Sequence, residues 1–230
     1  MRVVIAGGHG KIALLMERQL AQRGDQGVAL IRNPDHVDDV RGAGAEAVVL
    51  DLESSTPDEV AEQVRGADAV VFAAGAGPDS GAERKRTVDR DAALLLADGA
   101  TRAGVPRYLL VSAMGLDDVP TEAEDDSVWG HYLRAKAEAE AELRARQLDL
   151  TILRPGRLTD DPGTRRVRLA SAHDRIDKGE IPRDDVAAVL VALLDEPATA
   201  GSVLDLVGGE DHLPDAVEAV VPHHGGVAPL

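Results

Sequence analysis

Apolar positions along this chain alternate between two periods. Residues 2–6 (Arg-Val-Val-Ile-Ala) form a short β-branched run that ends in glycines, the mark of a buried strand. Ile12, Leu15, Met16, Leu20 and Ala21 then recur at helical spacing as far as Gly24. The same alternation repeats downstream. Strands are predicted at 28–31, 46–50, 69–74, 107–112, 150–153 and 202–207. Helices are predicted from Thr56-Pro57, a cap and first-turn pair, and over 84–103, 129–147 and 184–194. Arg32-Asn33-Pro34, Gly75-Ala76-Gly77 and Arg154-Pro155-Gly156 stop the second, fourth and sixth strands. Strands alternating with helices in this way give right-handed βαβ units and an α/β fold, a doubly wound parallel sheet covered on both faces. The expectation is one domain over residues 1–230 with its core in 1–155. The 75 residues after Pro155 are too few for a second domain, so 156–230 is expected to add a small C-terminal substrate cap and one edge strand.

Composition narrows the class of function. A 44% hydrophobic share excludes a disordered chain, and no apolar run approaches the roughly 20 residues of a membrane span. The N-terminus lacks the apolar region and cleavage site of a signal peptide, so a cytoplasmic protein with no membrane partner is expected. Without cysteine there is no disulfide framework, thiol nucleophile or thiolate metal site. A net charge of -16 and only four aromatic residues (Phe72, Tyr108, Trp129, Tyr132) argue against nucleic acid as a ligand. A small-molecule substrate remains.

Gly7-Gly8-His9-Gly10-Lys11-Ile12-Ala13 lies between the first strand and the first helix. Gly7 allows a tight turn, Gly10 lets a phosphate approach the backbone, and Ala13 is small enough for the helix to pack on the sheet. The helix N-terminus attracts a pyrophosphate. The spacing therefore reads as a dinucleotide site, against the plainer alternative of a structural turn. A mononucleotide loop fits poorly, because Ile12 stands where a magnesium-binding hydroxyl is needed. The second strand ends in Arg32 where an NAD site would carry an acid. A guanidinium there suits a 2′-phosphate, so NADP is the expected cofactor and NAD the less favoured one. The alternative is an arginine that simply faces solvent.

Tyr132 and Lys136 are spaced i, i+4 and share a helix face. An ammonium beside a phenol lowers the tyrosine pKa, and such a tyrosine can exchange a proton with a carbonyl or alcohol oxygen while hydride moves on a nicotinamide. The competing reading is a tyrosine that packs a helix. Ser112, ending the fifth strand, either orients the same oxygen or caps the strand.

In this order the motifs resemble the atypical NAD(P)H-binding branch of the short-chain dehydrogenase/reductases, related to biliverdin reductase B and NmrA-like proteins. The resemblance continues through Leu30-Ile31-Arg32-Asn33-Pro34, Asp51-Leu52, Ala73-Ala74-Gly75-Ala76-Gly77, Val88-Asp89-Arg90-Asp91, Val111-Ser112-Ala113-Met114-Gly115, Tyr132-Leu133-Arg134-Ala135-Lys136, Leu153-Arg154-Pro155-Gly156 and Ile181-Pro182-Arg183-Asp184-Asp185. It implies a Rossmann-type sheet. Gly7, Gly8, His9, Gly10, Lys11 and Ile12 then line the pyrophosphate turn, with Arg32 beside the 2′-phosphate. Asp51 and Leu52 flank the adenine, and Ala74 and Gly75 the adenosine ribose. Lys136 bonds the nicotinamide ribose, Pro155 and Gly156 lie near the carboxamide, and Tyr132 is the acid/base. Two departures bear on catalysis: Asp89 stands where active members of the wider superfamily carry asparagine, and Ala113 replaces a second serine.

The implied activity is an NADP-dependent oxidoreductase acting on a small carbonyl or enone. A non-catalytic NADP(H)-binding redox sensor is the alternative, and a sugar-nucleotide epimerase or dehydratase ranks last. A monomer or a homodimer is expected. No metal site is expected, since His223-His224 lack carboxylate or cysteine neighbours. The acidic stretch from Asp117 to Asp126 reads as a solvated loop or as a lid that disfavours acidic substrates. Arg165, Arg166 and Arg168 either cover the cofactor phosphate or form a polar strand face. Asp184 is expected to cap the helix that follows it.

Overall fold

The structure is a computed structural model that describes residues 1–77 and 80–222. Strand β1 (Arg2–Ala6) pairs in parallel with β2 (Gln26–Ile31) on one side and β4 (Ala69–Phe72) on the other. β3 (Glu46–Val49) flanks β2 in parallel. Beyond β4 the parallel run continues through β5 (Arg107–Val111), β6 (Asp149–Pro155) and β10 (Val203–Gly208). The two remaining strands turn antiparallel: β8 (Arg166–Ser171) on β10, and β11 (Asp211–His212) on β8 at the edge. The nine-stranded order is β11-β8-β10-β6-β5-β4-β1-β2-β3. β7 (Arg157–Thr159) and β9 (Glu180–Pro182) form a separate parallel pair. The C-terminal segment thus extends the sheet by three strands rather than the expected one. The strand expected as an edge, now β10, is enclosed between β6 and β8.

Alternation along the strands decides which helix covers which face. Val3 and Ile5 face α1 (Lys11–Gln22), α7 (Arg183–Leu194) and α8 (Leu213–Val220). Val4 and Ala6 face the opposite layer, made by α3 (Pro57–Val64), α5 (Ala92–Ala103) and Leu143 near the end of α6 (Val128–Arg144). A short α2 (Val37–Gly42), absent from the sequence reading, packs Val40 against Ala29 and Ile31. Thr56 does cap α3: its hydroxyl accepts the Glu59 amide at 3.3 Å and the Glu59 carboxylate accepts the Thr56 amide at 2.7 Å. Asp184 is not a cap. The cap residue of α7 is Pro182, and Asp184 is the second residue of the helix, where it accepts from Gln19 and pairs with Arg165.

The helix predicted over 84–103 is broken. A short α4 (Ala82–Arg84) leads into a π-helical turn over Lys85–Asp91, and only then does α5 begin. Such turns rotate side chains off the ordinary helical stripe and are frequent at functional sites. Among the described residues no helix is long and apolar enough to cross a membrane.

One buried acid carries a stability prediction. Glu17 on α1 is fully buried, neither carboxylate oxygen has a hydrogen-bond partner, and burial pushes its pKa up to about 8. The unfolded chain ionises Glu17 near its ordinary value while the folded chain resists, so stability falls as pH rises from about 4.5 to about 8. Glu17→Gln removes that ionisation. Urea unfolding is expected to find the two proteins similar at pH 5 and the variant about 2–4 kcal/mol more stable at pH 8. A constant difference across that range contradicts the assignment.

Candidate functional site

In a doubly wound sheet the crevice opens where the strand order reverses, at the carboxyl ends of the strands. Here the reversal falls between β1 and β4, and a cavity of about 320 Å³ opens there. It is lined by Gly7, His9, Gly10, Arg32, Asp51, Leu52, Ala74 and Gly75, each anticipated from the sequence. Gly7 has φ +79°, and a Cβ on it would lie 2.5 Å from the Ala74 backbone. A Cβ on Gly8 would lie 2.3 Å from Ala29 Cβ. The turn is therefore pressed between its neighbours with no room for side chains, leaving bare backbone toward the cavity.

Lys11 and Ile12 stand differently from their neighbours. The Lys11 ammonium donates to Asp160 at 2.5 Å, an acid also held by Arg183 at 2.6 Å, and the Ile12 side chain is buried in the core. What these two offer the cavity is backbone: first-turn amides of α1 that have no partner within the helix, at its positive end. His9 lines the cavity while stacking on His36 at 3.5 Å between ring centroids and meeting Asp39 at 2.9 Å. Arg32 Nη1 donates to Glu53 at 2.9 Å, and Arg84 Nη2 donates to the same oxygen at 2.9 Å. A turn closed to side chains, free helix amides and two guanidiniums at the rim fit a dinucleotide carrying phosphates.

The second end of the site is built around Tyr132. Two ammonium groups approach its ring, Lys85 Nζ at 5.4 Å and Lys136 Nζ at 5.9 Å from the centroid, and Trp129 stacks on it at 5.1 Å. Trp129 itself is 61% exposed. Lys136 Nζ donates to the Val111 carbonyl at 3.1 Å and sits 3.4 Å from Asp89, which is fully buried and also accepts the Ala76 amide. Lys85 Nζ donates to the Gly77 carbonyl at 2.5 Å. The expected lowering of the Tyr132 pKa is overturned. Burial, and then the Asp89 carboxylate, push the phenol up. Sequence spacing supplied the lysine but not the acid across from it, which comes from the π turn and offsets the lysine's charge.

Ser112 does not join Tyr132. Its buried hydroxyl donates to Glu140 at 2.5 Å. Glu140 also accepts from Arg154 Nη2 at 2.6 Å and Nε at 3.0 Å, while Arg154 Nη1 reaches Asp117 at 3.0 Å. Glu140 lies one turn beyond Lys136 and two beyond Tyr132, so one stripe of α6 carries all three. Arg154 is pushed up despite its burial, because Glu140 and then Asp117 bond to it. Asp205, opposite Arg154 across the β6–β10 pair, is pushed up by burial. Arg154 and Arg134, which donates to the Pro120 and Asp125 carbonyls, tie the acidic loop to β6 and α6. Pro155 ends β6, and Gly156 packs so closely that a Cβ would meet the Gly179 carbonyl at 2.2 Å.

Over residues 7–197 the sequence matches the family described as NAD(P)H-binding. The chain belongs to that family. It is 34% identical to the uncharacterized sugar epimerase YhfK of Bacillus subtilis, over 95% of this chain and 99% of that one. A solved structure from Bacillus halodurans, provisionally named an NAD-dependent epimerase/dehydratase, is 33% identical with TM-score 0.87, covering 96% of this chain and all of that one. ChuY, an anaerobillin reductase from Escherichia coli O157:H7, is 26% identical with TM-score 0.74, covering 90% and 97%. These similarities fit the atypical short-chain dehydrogenase/reductase branch and its Rossmann-type sheet.

Within this NAD(P)H-binding chain the other singled-out residues fall outside the crevice. Arg166 and Arg168 lie on the exposed face of β8, with Val167 and Leu169 buried between them, and Arg165 pairs with Asp184 and Asp185. His131 borders a groove of about 570 Å³ between α6 and the α4–π-turn segment, near Glu122 and Asp126. His223 and His224 lie outside the described residues. The sequence reading missed Glu53, Arg84, Thr87 and Lys85. The signal for Arg84 and Lys85 was the i, i+4 spacing of Arg84/Val88 and Lys85/Asp89, and Thr87 had none.

Proposed function

We propose that this chain is an NADP-dependent oxidoreductase of the atypical short-chain dehydrogenase/reductase type, acting on a small carbonyl or enone with Tyr132 as proton donor. The observation that carries this reading is a half-buried phenol, held neutral by burial and Asp89, at the same sheet edge as the glycine-turn cavity. A bound nicotinamide supplies the hydride. The chain's own groups do the rest. Gly7, Gly8, Gly10 and the first amides of α1 hold the pyrophosphate, and Arg32 holds the 2′-phosphate. Asp51, Leu52, Ala74 and Gly75 surround the adenosine. An ammonium has three donors; Lys136 gives one to the Val111 carbonyl and only pairs in charge with Asp89 at 3.4 Å, so donors remain for the nicotinamide ribose. Pro155 and Gly156 border the carboxamide. Tyr132 Oη gives its proton to the substrate oxygen as negative charge develops there, and Lys85 and Lys136 offset the charge left on the phenol.

The test is loss of reduced-nicotinamide absorbance when NADPH is offered with a panel of aldehydes, ketones, enones and sugar nucleotides, for wild type and Tyr132→Phe. A second reading is favoured by Asp89, which pairs in charge with Lys136, and by the engagement of Ser112 with Glu140. In that reading the chain is a non-catalytic NADP(H)-binding redox sensor. It requires different affinities for oxidised and reduced cofactor and no turnover with any member of the panel.

A further inference from the structure

Three side chains from two separate segments converge on one carboxylate at the rim of the cavity. Arg32, following β2, and Arg84, in α4, each donate to Glu53 Oε2 at 2.9 Å, and Thr87, in the π turn, donates to Oε1 at 2.7 Å. Two guanidiniums and a hydroxyl around an anion are the donor set that recognises a phosphate monoester. In this chain an acid of its own holds that place. The backbone beneath it is fixed: the Glu53 amide donates to Asp51 Oδ1 at 3.0 Å, and the Ser54 and Ser55 amides close on the Asp51 carbonyl. Only the Glu53 side chain, 25% exposed, is left to swing. Burial opposes its charge, yet the bonds from Thr87 and Arg84 hold its carboxyl below the usual range, so it is an anion at neutral pH.

We propose that Glu53 sets cofactor selectivity, as a built-in anion that a 2′-phosphate must displace from Arg32, Arg84 and Thr87. The inference rests on the dinucleotide reading above and goes beyond it. A ligand without the 2′-phosphate leaves the cluster intact. One that carries it breaks three charge-assisted bonds to Glu53 and remakes them to a group of higher charge. Selectivity for NADP(H) is then the difference between two anions competing for one cationic clamp, and Arg84 and Thr87 belong to that clamp together with Arg32. Because Arg32 and Arg84 are 54% and 41% exposed, solvent screening keeps the margin modest.

The probes are 2′,5′-ADP and 5′-AMP, with NADPH and NADH, titrated calorimetrically into wild type, Glu53→Gln and Arg84→Met. Glu53→Gln is expected to tighten the two 2′-phosphorylated ligands about tenfold while leaving 5′-AMP and NADH within about twofold. Arg84→Met is expected to weaken only the phosphorylated pair, by about three- to tenfold. If wild type binds NADPH but either variant leaves the ratio between phosphorylated and unphosphorylated ligands unchanged, the role of Glu53 or of the wider clamp is overturned and the dinucleotide reading survives. If no nucleotide binds any of the three proteins, both fall.

Discussion

Tyr132→Phe is expected to lower turnover about 100- to 10,000-fold while leaving the dissociation constants for NADPH and NADP within about twofold. The substitution removes one oxygen and keeps the ring, so the contacts to Trp129, Lys85 and Lys136 persist. The glycine-turn cavity is lined by other residues and is unaffected. The loss comes from the proton. Burial and Asp89 keep the phenol neutral through the ordinary pH range, so the wild-type protein holds this proton in place. Turnover is accordingly expected to show no basic limb from Tyr132 at neutral pH, which a pH–rate profile checks. Retained turnover in Tyr132→Phe rejects this residue as the acid. Equal loss of cofactor affinity assigns it to binding instead.

Glu140→Ala is expected to destabilise the fold by about 3–5 kcal/mol, measured by urea unfolding at neutral pH. Arg154 is buried, and Glu140 takes its Nε and Nη2 while Asp117 takes Nη1. Without Glu140 the guanidinium keeps a hydrogen-bonded acid only in the half-exposed Asp117, with Asp205 nearby but not bonded to it, and the Ser112 hydroxyl loses its acceptor. A buried charge stripped of its partner costs far more than a surface pair, for which the loss is typically below about 1 kcal/mol. Glu140→Gln retains an acceptor for Ser112 and for one Arg154 donor, and is expected to lose less. A cost for Glu140→Ala near that of a surface pair contradicts the network. Because Glu140 shares its helix stripe with Lys136 and Tyr132, its loss is also expected to lower turnover indirectly, by loosening α6.

Legibility in the sequence followed the range of the interactions involved. The parallel core was readable because Val3, Val4 and Ile5, and their counterparts in β2 and β4, are apolar on both faces, the pattern of strands covered on both sides. The glycine turn was readable because a bare backbone leaves a residue signature. β8 was legible only as one of two readings, the polar strand face of Arg166 and Arg168, and its place in the sheet was not, because its antiparallel partner β10 is distant in sequence. The π turn escaped because Lys85–Asp91 has an ordinary helical composition. Tyr132 and Lys136 were found by spacing within one helix, whereas the sign of the tyrosine's pKa shift depended on Asp89 from another segment. Arg32 was legible as a cation at a strand end. Its acceptor Glu53 was not, since nothing local to 51–55 announces that Arg32, Arg84 and Thr87 meet there.

Under the proposed function, the cavity at the β1–β4 reversal holds the adenosine half of NADP with its 2′-phosphate on Arg32. Calorimetric titration of NADPH and NADH into wild type and Arg32→Ala tests it most directly. The expected result is that NADPH binds wild type about tenfold more tightly than NADH and that Arg32→Ala removes the difference. Absence of binding by either cofactor, or equal affinities that Arg32→Ala leaves untouched, contradicts it.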